Sequence, residues 1–177
     1  MSIFSAVPGP GYAVERMYAL GAKLAAAAPT PSYNLHGTLY LSSSGWLCLA
    51  VPAPLIRGLF AAMHEPGIEL PRNEAGAFEP HISVMSKAEV DMIGPERISE
   101  RGKSFAYSIG RLMEVEPAGW PDVSKAWFCA VFSPSLQALR RSYGLSSLPH
   151  DGEYAFHVTV AVRKRGVLGR NEKAKAA

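Results

Sequence analysis

The sequence predicts an α+β protein of two related lobes, on three observations. Strand-like and helix-like segments follow one another along the chain, one unit of sequence occurs twice, and each copy ends in a His-x-Ser/Thr triplet. The first copy reads Trp46-Leu-Cys48-Leu-Ala-Val, Pro52, then Leu55; the second reads Trp127-Phe-Cys129-Ala-Val-Phe, Pro134, then Leu136. Trp, Cys and Leu hold the same relative positions in both. Each copy runs strand, proline-marked turn, helix, loop and a closing strand. Two copies of one unit imply lobes related by a pseudo-twofold axis, which would bring the two triplets to a shared groove.

The elements follow in order. Tyr12–Ala28 is rich in Ala, Leu and Met and stops before Pro29-Thr30-Pro31, so it reads as a helix. Leu35–Leu41 reads as a strand, Ser42–Gly45 as a turn, and Trp46–Val51, apolar throughout, as a central strand. Helical character runs from Leu55 to His64. Residues 66–79, rich in Gly, Pro and polar side chains, read as a long loop of the kind that often forms a lid. A strand follows at Pro80–Ser86, a short helix at Ala88–Ile93, and one or two strands over Phe105–Val115. Ala126–Phe132 is another apolar strand. Ser133-Pro134 opens a helix that stops at Gly144, and Phe156–Val162 is the last strand. The expected organisation is an N-terminal helical segment (1–34), a two-lobed domain (35–165) and a basic flexible tail (166–177).

With 48% hydrophobic and 19% charged residues, the composition is that of a globular chain and excludes a disordered one. The formal charge of +3 is unevenly placed. Six of the 18 basic residues (Arg163, Lys164, Arg165, Arg170, Lys173, Lys175) and one of the 15 acids (Glu172) fall after Val162. The body therefore holds 12 basic against 14 acidic residues, a net of −2. Such a body is poorly suited to neutralising a long phosphate backbone, so duplex DNA is not an expected partner; a small anionic ligand in a local pocket is. Cys48 and Cys129 are too few for a disulfide framework or a zinc site and lie in apolar runs, so they read as buried thiols of a reducing compartment. Met1–Gly11 lacks a leader's basic and apolar regions, and Glu15, Arg16 and Lys23 interrupt the one early apolar stretch. The expectation is a cytoplasmic protein with no membrane partner, monomeric or weakly oligomeric.

The chemistry points to the triplets. On a strand, residues i and i+2 face the same side. His81 and Ser83 therefore point together while Ile82 and Val84 face the core, and His157 and Thr159 do the same against Val158 and Val160. Face to face, the two pairs supply two proton-transfer groups and two hydroxyl donors. That set suits phosphodiester cleavage: a neutral imidazole takes the attacking oxygen's proton, a charged one gives a proton to the leaving oxygen, and the hydroxyls hold the non-bridging oxygens. No metal and no cofactor is required. A single His-x-Ser on a strand is ordinarily structural, but two His-apolar-Ser/Thr-apolar matches arise by chance in roughly one sequence in a hundred of this composition.

The paired motifs His81-Ile-Ser83-Val and His157-Val-Thr159-Val in a duplicated α+β chain resemble the 2H phosphoesterase superfamily, over about Leu35–Arg163. That group includes LigT-like RNA 2′-5′ ligases, cyclic phosphodiesterases and phage proteins that degrade cyclic-nucleotide alarm signals. The stretches Gly102-Lys103-Ser104-Phe105, Ser133–Leu136 through Tyr143-Gly144-Leu145, and Phe156–Arg163 are similar to phage-encoded, RNA-repair-like members. The resemblance implies a bilobal fold of two antiparallel sheets with helices outside and a central groove. It also implies catalytic roles for His81, Ser83, His157 and Thr159, with Ser83 standing where Thr is more usual. A phage-encoded member would act in the host cytoplasm.

Other residues carry weaker signals. Trp120, in a loop, and Tyr40 are candidates for stacking on a base, with Tyr12 and Tyr154 behind them. Lys87 and Arg163, each six residues past a motif histidine, are candidates for phosphate contact. Trp46 and Trp127 read as core. His36-Gly-Thr38 is a third His-x-Thr, but its middle residue is not apolar and it precedes the first repeat. His64 and His150 lack the hydroxyl partner. Two substrate types fit the expected site: a cyclic di- or oligonucleotide signal, or a 2′,3′-cyclic phosphate or 2′-5′ linkage at an RNA end. A non-catalytic RNA-binding module is the alternative of another class, and the intact His and hydroxyl residues oppose it.

Overall fold

In a computed structural model of the protein, residues 34–166 are described, except 74, 118 and 153. The helix expected over Tyr12–Ala28 and the tail beyond Gly166 lie outside the described residues. Within them run β1 (Leu35–Leu41), β2 (Leu47–Ala50), α1 (Ala53–Ala61), β3 (His81–Met85), α2 (Lys87–Ile93), β4 (Ser104–Val115), β5 (Val123–Phe132), α3 (Pro134–Ser142) and β6 (His157–Lys164). Short 3-10 turns occupy Pro95–Arg97 and His150–Gly152. No helix among the described residues is long and apolar enough to cross a membrane.

The helix boundaries have local causes. The Ser86 hydroxyl accepts from the Glu89 amide at 3.3 Å while the Glu89 carboxylate accepts from the Ser86 amide at 2.7 Å, a reciprocal cap on α2. Ser133 caps α3 through the Leu136 amide, with Pro134 in the first turn where no amide donor is needed.

Two separate sheets were expected; the six strands form one. They are antiparallel in the order β1-β2-β3-β6-β5-β4, and the order closes on itself because the first half of β1 pairs with β4 and its second half with β2. Each half of the chain contributes three consecutive strands, and the halves join where β3 meets β6 at Ile82 and Val158. Had the halves stayed apart, β3 and β6 would each present an unpaired edge at their most apolar residues; pairing removes both edges.

One face of the sheet is the core. Leu39, Leu49, Ile82, Val84, Val131, Val158 and Val160 pack there against Ile56 of α1, Val90 and Ile93 of α2, and Leu136 and Leu139 of α3. Gly37 lies on β1 where a Cβ would stand 2.2 Å from the Ala50 carbonyl oxygen and 2.8 Å from Leu49 Cγ. No side chain fits, which is why the third His-x-Thr lacks an apolar middle residue. Arg140 of α3 is fully buried. Its guanidinium donates to the Val84 carbonyl at 2.6 Å, to the Ser146 carbonyl at 2.8 Å and to both Glu89 carboxylate oxygens at 3.1 and 2.7 Å, joining the second half of the chain to β3 and α2 of the first.

The register corrects the sequence repeat. Cys48 pairs with Ser83 and Ala50 with His81, whereas Phe128 pairs with Thr159 and Ala130 with His157. Cys48 thus corresponds to Phe128, not to Cys129, which pairs with the core residue Val158. Both copies carry a bulge at the equivalent place, between Leu47 and Cys48 and between Trp127 and Phe128, so Leu47 is the counterpart of Trp127 and the Trp-to-Trp match is one residue out of register, a slip that turns every side chain to the other face.

Candidate active site

Antiparallel pairing with Ile82 opposite Val158 sets His81 across from Thr159 and Ser83 across from His157. Ile82 and Val158 face the core, so all four motif side chains stand on the other face. The two imidazoles occupy a diagonal of this square, a spacing of about 7–8 Å between positions. A tetrahedral phosphate with an attacking and a leaving oxygen spans such a gap.

Both rings are held alike. His81 Nδ1 lies 2.8 Å from the Glu79 carbonyl and His157 Nδ1 lies 3.1 Å from the Ala155 carbonyl, each acceptor two residues upstream. A carbonyl only accepts, so Nδ1 carries the proton in both rings and Nε2 is left for chemistry. The surroundings differ. His81 is exposed, while His157 is half-buried and meets the Phe128 ring edge-on with centroids 5.4 Å apart. Burial pushes the His157 pKa below its ordinary 6.5; the Ala155 carbonyl opposes the shift, and charge on His81 or His150 adds to it.

Residues 46–168 match the family model of the Swiss Army Knife 2H phosphoesterase domain. The chain belongs to the 2H phosphoesterase superfamily. No curated protein and no solved structure matches it. Membership supports a phosphoesterase activity in general, and in this 2H phosphoesterase the residues that define the motif share one face of one sheet.

The other expected site residues are dispersed around the 2H phosphoesterase motif. Tyr40 is on β1, paired with Cys48, which is paired with Ser83, so it stands two strands from the motif in the same row. Thr38 falls in the neighbouring row with Ala50 and His81, and His36 follows it on the same face of β1, exposed. Lys87 opens α2 and is ion-paired with Asp91. Arg163 follows Thr159 by four residues, about 13 Å along β6. Its guanidinium is engaged by Glu65 Oε2 at 3.1 Å and the Pro66 carbonyl at 3.0 Å, over the Trp127 ring at 5.2 Å. Trp120 lies in the β4–β5 turn beyond Val123, which pairs with Lys164. That partner is about 16 Å along β6 from Thr159.

Two features escaped the sequence reading. His150, set aside for want of a hydroxyl partner, is close enough for its charge to be felt at His157, and its ring packs on Tyr154 at 4.8 Å. Its position depends on a turn in which it adopts φ +50°, which spacing does not report. The loop over 66–79 is tied down rather than free: Glu69 forms a two-way backbone bridge with Val162 and an ion pair with Lys164 at 2.9 Å. Where the loop returns, Glu79 and Pro80 join Tyr40, Ala50 and Val51 around an open cavity of ≈ 340 Å³ beside His81. Among the described residues no group of three or more His, Cys, Asp or Glu is placed to hold a metal ion. Cys48 and Cys129 are buried and free, with thiol pKa values pushed by burial to about 12 and about 11, so neither is a nucleophile near neutrality.

Proposed function

We propose that this 2H phosphoesterase is a metal-independent phosphodiesterase acting on small nucleotide phosphodiesters, cyclic di- or oligonucleotide signals first among them. The observation that carries the reading is the pair of imidazoles with like tautomers and unlike surroundings on one diagonal. His157, kept neutral by burial, accepts the proton of the attacking water or ribose hydroxyl at Nε2 as the new P–O bond forms. His81, open to solvent, delivers its Nε2 proton to the oxygen that leaves as the old P–O bond breaks. Ser83 and Thr159 donate to the non-bridging oxygens, where charge grows in the transition state. The net charge of −2 over the residues up to Val162 supports a small substrate over a long polyanion.

The test is incubation with cyclic dinucleotides, cyclic trinucleotides and nucleoside 2′,3′-cyclic phosphates in excess EDTA, read by chromatography. Conversion of at least one cyclic substrate in EDTA is expected. Activity that vanishes on chelation and returns with zinc or manganese would contradict the two-histidine mechanism.

A further inference from the structure

The cavity beside His81 has a chemistry of its own. It is lined by Tyr40, by Glu79 and by the apolar Ala50, Val51 and Pro80, and the Glu79 charge is near enough to Tyr40 to be felt at its phenol. At ≈ 340 Å³ it is within the size of small-ligand sites, which are mostly apolar with few, placed polar groups. Tyr40 lies two strands from Ser83, about 10 Å across the sheet. Ala50 is directly opposite His81, and Glu79 supplies the carbonyl that orients the His81 ring. The Glu79 carboxylate is not loose: Asn73 Nδ2 donates to its Oε2 at 3.1 Å, and Asn73 is itself fixed by a turn through the Ala77 amide.

A carboxylate accepts hydrogen bonds and donates none, with lone pairs to spare beyond the one Asn73 uses. The base that suits it must present donors side by side. Guanine does so with N1–H and the 2-amino group, which match the two oxygens of a carboxylate. Adenine sets its amino group beside a repelling ring nitrogen, cytosine likewise, and uracil flanks its single N–H with two carbonyls. Tyr40 offers a ring face for stacking, and its phenol, with a pKa pushed to about 12 by burial and by Cys48 and Glu79, stays protonated.

We propose that this cavity is a guanine subsite, in which Glu79 reads the N1–H and 2-amino edge and Tyr40 stacks on the ring, so that the attached phosphate is presented to His81. The inference rests on reading the site as a nucleotide phosphodiesterase, and its test is separable from that reading because it measures binding. Calorimetric titration of the whole protein in EDTA with GMP, AMP, CMP and UMP gives four affinities. GMP is expected to bind tightest. Glu79→Gln, which keeps the shape and loses the charge, is expected to weaken GMP by about tenfold to a hundredfold and leave the other three unchanged, the range for a charge-assisted hydrogen bond. Tyr40→Ala is expected to weaken all four alike, by roughly five- to a hundredfold for a lost stacking face. No preference for GMP, a preference that survives Glu79→Gln, or no binding of any nucleotide at millimolar concentration overturns the subsite. Turnover of cyclic substrates in the same buffer reports separately on the phosphodiesterase: guanine-selective binding without turnover keeps the subsite and rejects the catalysis, and turnover without guanine selectivity does the reverse.

Discussion

His81 and His157 carry the same motif in unequal surroundings, and the proposed mechanism assigns their roles from that inequality. In that mechanism replacing either with Ala removes one of the two proton-transfer groups, so each should lower kcat/KM by about 10²–10⁴-fold, and the double variant should be little worse than either single one. Ser83→Ala and Thr159→Ala should each cost about 10²-fold, as for a lost oxyanion donor. Steady-state kinetics on a substrate from the cyclic panel checks all five variants. The pH profile follows from burial. A base whose pKa lies below 6.5 is lost only as the pH falls through that depressed value, so the acid limb of kcat/KM should lie below 6.5. Phe128→Ala, which opens the ring of His157 to water, should move that limb upward toward 6.5. An acid limb that does not move in this variant would separate His157 from the base role. The shared face of the four motif side chains was legible in the sequence because alternation on a strand is blind to everything but spacing. Glu79 and His150 were not, because loop backbone alone sets where they stand.

At the scale of elements, the strands and helices between Leu35 and Lys164 were legible from apolar runs, prolines and serine caps, with ends displaced by a few residues. The pairing was less so. A match of Trp with Trp and Cys with Cys sets the second copy one residue out of register with the first, and so hides that Cys129 lies in the core while its apparent counterpart Cys48 faces the motif. Two contacts between elements make sharp tests. Gly37→Ala would drive a methyl into the Ala50 carbonyl and should destabilise the fold by about 1–3 kcal/mol or more, seen as a lower urea midpoint. Arg140→Ala leaves the Glu89 carboxylate without its cation and should cost about 3–5 kcal/mol by the same measurement. Burial raises the Glu89 pKa, but the Arg140 and Ser86 hydrogen bonds outweigh it and hold the carboxyl below its ordinary 4.5. The stability this contributes is full above 4.5 and disappears as pH falls through the depressed value. In Arg140→Ala that part of the acid sensitivity should flatten.

At the scale of the whole molecule, the candidate site exists only where the two halves of the chain meet, since His81 and His157 come from strands 76 positions apart in sequence, 157 − 81. An antiparallel pair centred on Ile82 and Val158 looks the same from either end, so the four motif residues by themselves do not tell a substrate which way to lie. A phosphodiester does have a direction: one of its oxygens becomes the alcohol of the product. What assigns that direction is the dressing of the square, with Phe128 and the turn of His150 by one histidine and the cavity of Tyr40 and Glu79 by the other. The consequence is regiochemical. A nucleoside 2′,3′-cyclic phosphate turned over at this site should open to a single isomer, the 2′- or the 3′-phosphate alone, which phosphorus NMR distinguishes directly. An equal mixture would mean that the ester lies both ways round and that the seam, not its flanks, governs the outcome.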